Sequence, residues 1–140
     1  MRPRRIRLTK DEDGYVRVEV SVSNPLDPKL KAKVTFIADT GASGCTIPQE
    51  VAEKLNLEPR GEANVVLADG RVTTARFGTA LLEIQGRRLY AYVIYGPGFD
   101  ALLGIDVMRD LDIHVDPRTK SLLIPIRFLR PLRYIFNLRC

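Results

Sequence analysis

The chain has 140 residues, 45% hydrophobic and 28% charged, an ordinary globular composition with enough length for one domain and a core of its own. Its apolar runs are only a few residues long, which excludes a bilayer-spanning helix, and two cysteines, Cys45 and Cys140, exclude a disulfide framework or Cys-rich zinc site and make the cytoplasm the expected location. The net charge of +5 is uneven: the two ends hold nine Arg/Lys and no acid, leaving residues 11–126 at −4, so any nucleic-acid or anionic-membrane reading rests on the ends alone.

In chain order, residues 1–10 form a basic arm. Basic residues there have no apolar stretch behind them, so a secretory signal is not expected. Residues 15–22, Tyr-Val-Arg-Val-Glu-Val-Ser-Val, alternate with the period of a half-buried strand. Asn24-Pro25-Leu26-Asp27-Pro28 predicts a turn, and residues 31–37 alternate again, closing a hairpin that delivers the chain to Asp39. Thr46, with Gln49 three residues on and apolar Val51, Ala52 and Leu55 behind it, predicts a capped helix over residues 48–57.

Residues 65–67 and 72–77 flank Ala68-Asp69-Gly70-Arg71, a strong hairpin signal. A further hairpin is predicted from residues 81–84 and 89–95 around Gln85-Gly86-Arg87-Arg88. Residues 101–104 read as a buried strand ending in Gly104, 105–111 as a helix, 113–115 as a strand with His114 on its surface, and 121–126 as a last strand. The tail, 125–140, interleaves four Arg with apolar residues, an interaction element for the second subunit, the active-site groove or a membrane surface. The expected organisation is a basic arm (1–10), one mainly-β domain (11–124) and a basic, apolar tail.

An apolar strand running into Asp39-Thr40-Gly41-Ala42 raises a chemical question, because a carboxylate is costly to shelter. As a lone tripeptide, Asp-Thr-Gly is a common turn. The chain, however, has one His, no Ser/His/Asp pattern and no metal-ligand cluster, so carboxylates are the available groups for acid–base hydrolysis. Two carboxylates close together share a proton, one serving as base and the other as acid; the general example of this is the aspartic protease pair.

With Leu102-Leu103-Gly104 over 60 residues further on, and a hairpin between the two motifs, the sequence resembles the retroviral-type, single-lobe aspartic proteases from about residue 15 to 124. The resemblance implies an all-β, retropepsin-like acid protease half-barrel of hairpins with one or two short helices, homodimeric, hydrolysing peptide bonds without a cofactor or metal. It implies that Asp39 is catalytic, with Thr40 bonding across the dimer and Gly41 allowing close backbone approach. Ala42, Leu67, Ala68, Asp69 and Gly70 would contact substrate, the last four as a flap, and Leu102, Leu103 and Gly104 would support the active loop. Ala42 in place of a hydroxyl residue implies one hydrogen bond fewer to the ionised carboxylate and a mildly acidic or near-neutral optimum. One Asp-Thr-Gly per chain requires a second copy for a dyad. The alternative, a non-catalytic dimeric peptide-binding module, would keep the fold without the cleavage; nucleic acid is not an expected partner.

Overall fold

The computed structural model describes residues 4–7, 15–116, 118–119 and 121–124; the predicted tail beyond residue 124 lies outside them. Ten strands and two short helices follow one another as β1 (Arg4–Arg7), β2 (Arg17–Asn24), β3 (Asp27–Ala38), β4 (Cys45–Pro48), α1 (Gln49–Lys54), β5 (Gly61–Val66), β6 (Val72–Ile84), β7 (Arg87–Gly96), β8 (Leu102–Leu103), α2 (Ile105–Asp110), β9 (His114–Asp116) and β10 (Ser121–Ile124).

Period-2 patterning builds the first hairpin. Val18, Val20 and Val22 of β2 point into the core, and β3 pairs antiparallel with Val20 opposite Val34. On the outer face of β3 stand Lys29, Lys31 and Lys33, all exposed, a charged row that discourages edge-to-edge association of a long strand. Asn24 makes the turn: its Oδ1 accepts the Leu26 N–H at 2.8 Å, while its Nδ2 donates to the Leu55 and Asn56 carbonyls at 2.9 and 3.1 Å. That side chain ties the hairpin to the end of α1.

The main sheet has the order β2-β3-β8-β4-β7-β6-β5, and β6 pairs back onto β2 with Val22 opposite Leu82. The ring of strands from β2 round to β6 is therefore closed, leaving β5 as an outer strand. Inside it, Val20, Phe36, Ile47, Leu82, Val93 and Leu103 are wholly buried. At about 25 cal/mol per Å² of apolar surface, such side chains each stabilise the fold by roughly 1.5–3 kcal/mol. A second sheet, β1-β10-β9, pairs Arg4 with Ile124 and Leu122 with Val115.

Three local expectations are corrected. The predicted helix over 48–57 is shorter, because residues 45–48 are a strand in parallel register with β7, Ile47 opposite Tyr95. Thr46 consequently does not cap; its hydroxyl donates to the Asp100 carbonyl at 2.7 Å, and α1 has no side-chain cap. Its end is set by Asn56, at φ 53°. The separate strands predicted at 72–77 and 81–84 are one strand, β6, running through Gly78. The turn predicted at 85–88 is tighter. Only Gln85 and Gly86 lie between the strands, with φ 50° and 80°, the two positive values a type I′ hairpin needs.

Arg87 thus opens β7 and is 9% exposed. Its Nη1 donates to the carbonyl of Leu111 at the end of α2, satisfying a group the helix leaves unpaired. Tyr95, also buried, has a hydroxyl without a hydrogen-bond partner among the described residues.

Candidate active site

Asp39 is the first residue past β3, and two neighbouring strands fix its backbone. Ile37 and Ala38 pair in parallel with Leu102 and Leu103, through bonds from the Ile37 N–H to the Ala101 carbonyl at 2.9 Å and from the Asp39 N–H to the Leu103 carbonyl at 3.0 Å. On the other side the Ala38 N–H donates to the Val16 carbonyl at 2.8 Å. The strand therefore cannot drift in its plane without breaking backbone bonds on both flanks.

The loop then folds around the carboxylate. The Gly41 N–H donates to Asp39 Oδ1 at 2.9 Å, and the Ala42 N–H to the Asp39 carbonyl at 3.1 Å. A Cβ on Gly41 would lie 3.3 Å from that same Oδ1, so glycine keeps the approach uncrowded. Asp39 and Ala42 are half-buried; Thr40 and Gly41 are exposed. Among the described residues the carboxylate receives one backbone donor, beside two exposed residues.

Gly104 holds the far side of the loop. A Cβ there would stand 2.5 Å from both the carbonyl carbon and oxygen of Gly44 and 2.9 Å from Asp106 Oδ1. Only a residue without a side chain allows these two backbones so close. The next N–H, of Ile105, donates to the Ala42 carbonyl at 2.9 Å. The structure thus brings Asp39, Thr40, Gly41 and Ala42 together with Leu102, Leu103 and Gly104, which the sequence separates by 60 positions or more.

Leu67, Ala68, Asp69 and Gly70 form the tip joining β5 to β6, and among the described residues no hydrogen bond links them to the Asp39 loop. The tip is internally closed. Leu67 N–H donates to the Arg71 carbonyl at 2.8 Å and Gly70 N–H to the Leu67 carbonyl at 2.9 Å, with Gly70 at φ 87°. Asp69 accepts the Arg71 backbone N–H at 3.0 Å and Nε at 2.6 Å, and these two bonds hold its carboxyl below the usual range. Val66 and Val72, opposite each other at the end of the hairpin, are 70% and 66% exposed.

Three contributors were not legible as site residues: Gly44, Ile105 and Asp106. The signal for the last two was Ile-Asp directly after Leu-Leu-Gly, which pattern reading assigned to a helix start. A separate cleft of about 920 Å³, lined by Asn24, Leu26, Leu30, Asn56, Pro59 and Thr79 among others, lies at the turn end of the β2–β3 hairpin, away from Asp39. It contains none of the predicted site residues.

With this geometry in place, comparison is decisive about kinship. A family model described as aspartyl protease matches residues 18–107. The chain belongs to the aspartyl protease family. Its fold is retropepsin-like: it is similar to the structure of a retropepsin-like aspartic protease from Rickettsia conorii, with TM-score 0.61 and 21% identity over 87% of this chain and 90% of that one. It is similar too to EIAV protease complexed with the inhibitor HBY-793, with TM-score 0.62 and 14% identity over 78% of this chain and 99% of that one. No curated protein matches the chain. The family match supports a protease-type function; at these identities the solved structures speak for the fold.

Proposed function

We propose that this aspartyl protease is an endopeptidase that works as a homodimer, with a water activated between the Asp39 carboxylates of two copies. The observation that carries the reading is the Asp39 loop itself: a single carboxylate, fixed by backbone bonds on both flanks, next to exposed Thr40 and Gly41. One such carboxylate per chain is half of a proton-sharing pair, and a two-fold axis beside Thr40 would supply the other half. One Asp39, ionised, takes a proton from the water as it attacks the scissile carbonyl. The other, protonated, hydrogen-bonds the carbonyl oxygen and gives its proton to the developing hydroxyl of the tetrahedral intermediate. Collapse returns a proton to the leaving nitrogen. The charge moves between two oxygens already held in place, so little reorganisation accompanies the step.

In this reading the β5–β6 hairpin closes over an extended peptide as a flap, Leu67 and Ala68 lying against it and excluding water. Leu102, Leu103 and Gly104 do no chemistry; they hold the loop.

The experiment is cleavage of an unfolded protein by wild-type and Asp39→Asn chains, followed by co-refolding the two in varied proportion. Asp39→Asn alone should be inactive, and activity of the mixtures should follow the square of the wild-type fraction. Full activity of Asp39→Asn removes the aspartic mechanism, and linear dependence on the wild-type fraction replaces the shared dyad with a single-chain site.

A further inference from the structure

Cys45 closes the Asp39 loop, is 1% exposed and makes two hydrogen bonds of opposite sense. Its Sγ accepts the N–H of Gly104 at 3.3 Å, and its thiol makes a long donor contact of 3.9 Å to Asp106 Oδ1. Asp106 is itself oriented, because the same Oδ1 accepts the Val107 N–H at 2.7 Å and Val107 is buried. Gly104, Ile105 and Asp106 therefore each grip the loop at a different point: Gly104 by donating to the Cys45 sulfur, Ile105 by donating to the Ala42 carbonyl, and Asp106 by accepting from the Cys45 thiol.

We propose that Cys45 and Asp106 form a buried thiol–carboxylate clip that positions the Asp39 loop for catalysis; this rests on the protease reading above. Both are positioning residues, since neither touches the reacting atoms. The clip acts at the far end of the loop from the β3–β8 pairing: Asp39 is anchored through Leu103, whereas Ser43 and Gly44 lead into Cys45, the first residue of β4. A sulfur suits the task because it accepts one bond and donates the other from a small, buried side chain. Burial first, then the nearby Asp106 charge, pushes the thiol up to about 12, so the proton that Asp106 receives stays on sulfur throughout the working range. Shape alone does not explain Cys45, because a valine would fill the volume without either bond.

The test compares Cys45→Val, which fills the site without hydrogen bonds, with Cys45→Ser, which keeps a donor and an acceptor, in the full chain. Cys45→Val should lower kcat about tenfold or more at little-changed KM, the sensitivity of catalysis to sub-ångström misplacement, and should speed amide exchange of residues 40–42. Cys45→Ser should restore most of both. Wild-type kcat and exchange in Cys45→Val overturn the clip, whatever its effect on Tm. A double variant supplies the second arm: with Asp106→Ala the two losses in kcat should overlap, whereas losses that multiply show independent roles and also overturn it. If the wild-type chain cleaves nothing, the protease reading has failed, and loop exchange still decides whether the clip orders residues 40–42.

Discussion

Gly104→Ala is the sharpest perturbation of the supporting architecture, because it adds one methyl at a contact between two backbones. The added Cβ would lie 2.5 Å from Gly44 carbon and oxygen atoms, against an ordinary contact of at least 3.4 Å, so the loop must retreat by about 0.9 Å. Neither side yields easily: Gly104 follows Leu103, which is wholly buried, and Gly44 precedes Cys45, which is 1% exposed. Overpacking of this kind costs about 1–3 kcal/mol, or roughly 4–15 °C in Tm for a domain of this size. An ångström of displacement at the Asp39 loop should lower kcat about a hundredfold. The partner substitution is the control. A Cβ at Gly44 meets nothing within 4 Å, so Gly44→Ala should leave Tm within about 2 °C. Thermal unfolding at one fixed protein concentration, followed by steady-state cleavage, reads both. Equal behaviour of the two alanine variants would refute the argument, since it places the whole difference in that 2.5 Å approach.

At the hairpin tip, Asp69→Ala should raise KM severalfold and speed exchange of the amides at residues 67–72, by releasing the bonds to Arg71. Because the folded carboxyl is held below its ordinary value of 3.8, this ordering is present above that value and lost as pH falls through the lower folded one; exchange measured downward from pH 6 checks it, and pH-independent protection there would contradict it. In a Cys140→Ser background, Cys45 should react with a maleimide at pH 8 roughly a thousandfold more slowly than in urea, since a buried thiol near 12 offers almost no thiolate. Tyr95→Phe should raise stability by about 1 kcal/mol in urea titration, because it removes a buried hydroxyl that has no partner among the described residues; a loss of stability would show that the oxygen is satisfied in solution.

Much of the fold was legible because its information is local. Alternation at residues 15–22, Asp69-Gly70 and Gln85-Gly86 each encode a hairpin in a few neighbours, and all three hairpins form. What misled was local information with two meanings. Thr46 with Gln49 reads as a capping pair, but a parallel partner 48 residues away makes residues 45–48 a strand. The strands expected separately at 72–77 and 81–84 are continuous, because β7 pairs straight through Gly78, which lies opposite Val93. Arg4–Arg7 falls within the expected basic arm, yet it pairs with β10. Of the site, Asp39, Thr40, Gly41 and Leu102 to Gly104 were visible as motifs. Gly44 and Asp106 were not, because their importance lies in an approach across more than 60 residues for which no short-range pattern exists.

The parallel pairing of β3 with β8 also sets a time. Hairpins close between neighbours, but Ile37 and Ala38 meet Leu102 and Leu103 only after a long loop has been closed, at an entropic cost that must be met before the contact returns anything. During synthesis, residues 15–38 have their antiparallel partners as soon as that hairpin has emerged, whereas the Asp39 N–H has no acceptor until Leu103 does. A growing chain therefore carries the Asp39 carboxylate unassembled until Leu103 has been added. Truncated chains ending before residue 102 should show a formed β2–β3 hairpin and an unprotected Asp39 loop, so that the site is latent by topology until Leu103 is present.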